Sequence, residues 1–81
     1  MHTKLGPLTV IDWEDSASLV GSTWNAVDEV RKSRPIVCKS VGWLAAEDRN
    51  CVVLVAHISG DDVGGDLCIP KSSIVKRRIL R

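Results

Sequence analysis

The chain has 81 residues, 44% hydrophobic and 26% charged, with 11 basic and 10 acidic side chains and a net charge of +1. That length allows a single domain over residues 1–81 and buries only about 60% of the unfolded surface. The balanced charge argues against extended binding to long nucleic acid, whose affinity scales with the phosphates neutralised.

Three Trp and no Phe or Tyr leave a core of Val, Ile, Leu and Ala, a composition that favours sheets. No run approaches the roughly 20 apolar residues of a membrane span, and the first ten residues lack the apolar stretch of a signal peptide. A cytoplasmic protein is the expectation. Cys38, Cys51 and Cys68 lie 13 and 17 residues apart without a CxxC pair, so no zinc or redox motif is present. Each sits in an apolar run, where a free cysteine behaves as a small buried hydrophobe.

Taken in chain order, Gly6-Pro7 signals a turn and Leu8 to Trp13, rich in Val, Ile and Thr, reads as the first strand. Glu14 to Ser18 reads as a loop. Its acids, with Asp12, lack the ligand spacing of a calcium loop and are solvated charge. From Ser22, a candidate N-cap, to Ser33 the chain predicts a helix of about three turns, with Trp24, Val27 and Val30 at three-residue spacing. Arg31, Lys32 and Arg34 complement the dipole at its end, and Pro35 stops it. So short a helix is expected to lie across a sheet or plug its open end.

Ile36 to Ile58 predicts a hairpin, with two β-branched runs around Glu47-Asp48-Arg49-Asn50. Val37, Val41 and Trp43 fall on one parity and Cys38, Gly42 and Leu44 on the other, so both faces carry apolar groups. That suits a small barrel or a subunit interface, with Gly42 as a bend. The second arm, Cys51 to Ile58, is the most apolar and is expected to be the central strand. Ser59 to Asp66 reads as a glycine-rich loop without the context of a phosphate loop. Leu67 to Ile69 predicts a strand ended by Pro70, Lys71 to Ser73 a 3₁₀ turn, and Ile74 to Leu80 a closing strand.

The segments VGWLAAEDRNCVVLVAHIS and IPKSSIVKRRIL resemble the Sm-like family in its glycine-bent strand, acidic hairpin turn, return strand, 3₁₀ turn and closing strand. A helix after the first strand, rather than before it, is similar to compact Sm-like proteins of bacterial viruses and prophages. The resemblance implies a mainly β (α+β) fold: a small five-stranded Sm-like barrel with one short amphipathic helix between the first and second strands. It also implies a homo-oligomer joined through edge strands, with nucleotides bound near the hairpin turns or between subunits.

Catalysis is not expected. His2 and His57 have no partner at a telling spacing, and no serine sits in a nucleophile elbow. No metal or cofactor is expected either. Binding has better material: Arg forks match phosphate oxygens and Trp offers a stacking face. The residues expected to hold a ligand are Trp24, Arg31, Arg34, Lys39, Trp43, Lys71 and Arg77, although Trp13 and Trp43 also suit a core. The sequence thus points to a non-enzymatic oligomeric binder of a small or cyclic nucleotide, as in a viral protein that sequesters a host nucleotide signal. The alternatives are an Sm-like RNA-binding protein and a structural module without a small ligand.

Overall fold

The computed structural model describes residues 4–17 and 24–81. Strand β1 (Leu8–Asp15) is followed by a short helix α1 (Val27–Val30), then β2 (Ile36–Glu47) and β3 (Cys51–Val55). Next come β4 (His57–Ser59), β5 (Asp62–Gly64) and β6 (Leu67–Pro70), the 3₁₀ turn Lys71–Ser73, and β7 (Ile74–Ile79). All pairings are antiparallel. Five strands form one sheet in the order β6-β3-β2-β1-β7, and β4 and β5 form a separate two-stranded sheet.

The expected hairpin is present, with β2 and β3 joined at Asp48–Asn50. The Asp48 carboxylate accepts the backbone N–H of Asn50 at 2.7 Å and of Cys51 at 2.9 Å, which fixes the turn. Those two bonds also hold the Asp48 carboxyl below its ordinary range. The 3₁₀ turn and the closing strand fall where the sequence places them.

The closed five-stranded barrel is not formed. The sheet is open, β6 and β7 are its two edges, and the described residues hold seven strands in two sheets. Closure would need a backbone ladder between β6 and β7. Pro70 at the end of β6 has no N–H to give, and β7 pairs with β1 on one side and leaves its other edge unpaired. The loop expected from Ser59 to Asp66 supplies the extra strands. Gly60 and Gly65 both take positive φ, 61° and 63°, and turn the chain on either side of the Ile58–Val63 pair.

Other expectations shift as well. β2 is the central strand, not β3, although β3 is the better buried. Glu14 and Asp15 extend β1 instead of starting a loop. The register shift in β2 lies between Leu44 and Ala46, not at Gly42. Gly42 serves close approach instead: a Cβ there would meet the Val55 carbonyl oxygen at 2.7 Å. The helix does sit between the first two strands, but among the described residues only Val27–Val30 is helical there, and none of these four is buried. The N-cap expected at Ser22 lies outside the described residues.

The core is small, and burial is not confined to one face of the sheet, since Val10 and Val55 are buried next to Ile11 and Leu54 on their strands. Ile11, Val52, Leu54 and Ile69 pack together, with Trp13, Leu44 and Ile74 against them. Trp13 is half-buried, and its Nε1 donates to Ser40 Oγ at 3.0 Å across β1 and β2. Cys38 and Cys51 are half-buried and Cys68 is exposed, so the cysteines are not the buried hydrophobes their apolar neighbours suggested. Away from the core the molecule is drawn out. Its radius of gyration is 16.5 Å and its extents are 57 × 23 × 21 Å, against about 12 Å for a compact chain of this length.

Candidate functional site

The chain's chemistry gathers where the segment before β1, the middle of β2 and the end of β7 meet. Gly6 N–H donates to the Leu44 carbonyl at 2.7 Å and Leu44 N–H to the Pro7 carbonyl at 3.1 Å, so the ladder continues past the start of β1. Leu80 N–H closes the other side on the Leu8 carbonyl at 2.8 Å. Thr9 is buried, and its hydroxyl is satisfied by donating to the Pro7 carbonyl at 2.9 Å.

These segments frame an open cleft of about 530 Å³ lined by Pro7, Thr9, Leu44, Arg77, Arg78, Ile79 and Arg81. The volume suits a small organic ligand. Successive residues of a strand face opposite sides, yet Arg77, Arg78 and Ile79 all line the cleft, so it wraps the β7 edge of the sheet.

Arg77 is held by Glu47 at the end of β2. Its guanidinium donates through both terminal nitrogens, at 3.1 and 3.0 Å, in a two-pronged pair. Lys71, from the 3₁₀ turn, reaches the same carboxylate at 2.8 Å. Glu47 therefore ties β2 to β7 and to the turn between the two edge strands, and spans the gap that backbone pairing leaves open. The hydrogen bonds from Arg77, then from Lys71, push its carboxyl from 4.5 down to about 2. A depressed folded-state value stabilises the fold above the unfolded value and is lost as the pH falls. The stability difference between the wild type and Glu47→Gln is thus expected to be constant down to about pH 5 and to close between about 4.5 and 2. Urea midpoints measured against pH check this, and a gap still open at about pH 2 would overturn it.

Arg78 and Arg81 differ from Arg77. Among the described residues no ion pair or side-chain hydrogen bond engages either guanidinium. Two uncompensated forks beside an apolar wall of Pro7, Leu44 and Ile79 form a site for an anion carried on a partly apolar body.

Of the residues singled out from sequence, Lys71 and Arg77 come together on Glu47, and Arg77 lines the cleft. The others stand elsewhere. Trp24 is 89% exposed on the arm between β1 and β2. Arg31 pairs with Asp28 at 3.5 Å, and Arg34 donates to the carbonyls of Arg31 and Ser33. Lys39 pairs with Asp12 at 3.1 Å. Trp43 is half-buried in the sheet between Leu8 and Val55. Sequence reasoning did not single out Arg78 or Arg81 as site residues. The signal it lacked was the pairing of β1 with β7, which brings Pro7 and Thr9 alongside them.

Reactive groups are sparse. Hydrogen bonding with Cys68, then burial, pushes the Cys51 thiol up to about 11, so it is no thiolate nucleophile at neutral pH. Among the described residues no three His, Cys, Asp or Glu side chains stand together as a metal site. No helix among them is long and apolar enough to cross a membrane. Comparison with protein-family models, with curated proteins and with solved structures gives no match.

Proposed function

We propose that the protein is a non-enzymatic binder of a small phosphate-bearing ligand of the nucleotide class, cyclic forms included, held in the cleft at the β7 edge. The observation that carries this is the pair of guanidinium groups, Arg78 and Arg81, left without a carboxylate beside an apolar wall. Their forks suit phosphate oxygens, while Pro7, Leu44 and Ile79 take the flat side of a sugar or base. The cleft holds no tryptophan, so base stacking falls to a guanidinium plane. A few cations suffice for such a ligand, in keeping with the net charge of +1.

The protein assembles with itself through the free edges of the sheet. β7 carries Lys76, Arg77 and Arg78 in succession and repels another β7, so β6 is the edge open to pairing. Three free thiols suit the reducing conditions of the cytoplasm.

Thermal unfolding against inorganic phosphate, mononucleotides, cyclic nucleotides and short single-stranded RNA tests the binding reading. A ligand at a hundred times its Kd adds about 2.7 kcal/mol, a rise in Tm on the order of 10 °C for a domain this small. The rise is expected for at least one nucleotide and is expected to vanish in Arg78→Ala/Arg81→Ala. No shift with any probe would sink the proposal, and an equal shift in the double variant would move the site elsewhere. A response to RNA alone, falling steeply with salt, would replace it with an RNA-binding reading.

A further inference from the structure

Exposed apolar side chains stand on several parts of the described molecule, and two of these parts are small elements with little support of their own. One is the arm between β1 and β2. There Val27 and Val30 are 62 and 50% exposed and α1 buries nothing, and Ile36 and Val37, where β2 begins, are 56 and 63% exposed. A four-residue helix has no independent stability in water, so the arm calls for a surface to lie on. The other part is the β4–β5 hairpin. Its cross-strand pair Ile58–Val63 is 46 and 43% exposed, and Leu67, just beyond it, is 37% exposed. A two-stranded ribbon is marginal by itself for the same reason.

The two parts are opposite in charge. From Cys51 to Pro70 the chain carries Asp61, Asp62 and Asp66 and neither Lys nor Arg. None of these three aspartates joins an ion pair among the described residues. The arm presents Arg31, Lys32 and Arg34 within four positions. Arg31 and Lys32 are paired to Asp28 and Glu29, but with side chains 61–88% exposed, a setting in which such pairs hold weakly. Among the described residues Arg34 meets only main-chain carbonyls. The other exposed apolar edge, around Val75, adjoins Lys76, Arg77 and Arg78 and would repel the arm.

We infer that the arm of one copy docks on the β4–β5 hairpin of a second copy of this chain. Val27 and Val30 cover Ile58 and Val63, and Arg31 and Arg34 face Asp61 and Asp62. Related by a two-fold axis, the contact is made twice and closes on itself, arm to hairpin in both directions. The drawn-out shape, 57 Å in its longest extent, suits subunits that exchange arms. The contact uses neither the arginine cleft nor the β6 edge, so it stands or falls apart from the function proposed above.

Sedimentation of the full chain at micromolar concentration tests it. A mass of at least two 8.8 kDa subunits is expected, falling by half or more in Val27→Asp and in Val63→Asp with the far-ultraviolet circular dichroism unchanged. Arg31→Glu/Arg34→Glu is expected to weaken association at least tenfold, and adding Asp61→Lys/Asp62→Lys to restore it. The charge exchange keeps the test decisive if Val63→Asp fails to fold. A monomeric wild type would overturn the inference and leave the arm to a different protein. So would an oligomer indifferent to both aspartate variants, which would put assembly on the sheet edges, and so would a charge exchange that restores nothing.

Discussion

Gly42→Ala is expected to be among the most damaging substitutions in the molecule, although it adds one carbon. That carbon would lie 2.7 Å from the Val55 carbonyl oxygen and 3.1 Å from Leu54 Cβ, both on the neighbouring strand β3. A carbonyl fixed in a ladder cannot rotate aside, so β2 and β3 must separate where Trp43 pairs with Val55. The expected loss is about 2–3 kcal/mol, or a Tm lower by on the order of 10–20 °C. Valine, which strands ordinarily favour, is expected to be worse than alanine. Urea denaturation of the two variants checks the order, and a valine variant as stable as the wild type would show that the strands have room to spare.

Ile69→Ala is expected to cost about 2–5 kcal/mol. Ile69 is fully buried, lies opposite Val52 on β3, and packs with Ile11, Leu54 and Val52 in a cluster with few other members. A domain of this length has about 4–12 kcal/mol of stability in all, so the cavity removes a large share of it. Val75→Ala, at a position 60% exposed, is expected to stay within about 0.5 kcal/mol of the wild type. Denaturation midpoints for the pair measure the contrast. A loss below about 1 kcal/mol at Ile69 would mean that stability resides outside this cluster.

What the sequence made legible was local. The β-branched runs on either side of Glu47 to Asn50 write a hairpin whatever the rest of the chain does, and Pro70 before Lys71-Ser72-Ser73 writes a strand end and a turn. What it hid depends on distance or on size. The state of the sheet edges is decided by β6 and β7, and the ion pair that spans their gap joins residues 30 positions apart. Strands β4 and β5 have three residues each, too short for alternation to show. The spacing of Trp24, Val27 and Val30 suggested a helical face, but among the described residues the helix takes up only Val27–Val30, a stretch too short for a 3.6-residue period to establish. The cleft was illegible for the same long-range reason: Pro7, Leu44 and Arg78 become neighbours only once β1 lies between β2 and β7.

The pairing of β1 with β7 has a consequence for how the molecule forms. Thr9 meets Ile79, so this contact closes a loop of nearly the whole chain. In equilibrium terms the length matters little, since a loop some threefold longer costs only about 1 kcal/mol more to close. In time it matters more. The β2–β3 hairpin can zip within microseconds from its own turn, whereas the ladder of β7 is with β1, at the other end of the chain, and long-range pairing of that kind is slow. The cleft needs that pairing as well as the one between β1 and β2, so it exists only in the finished fold.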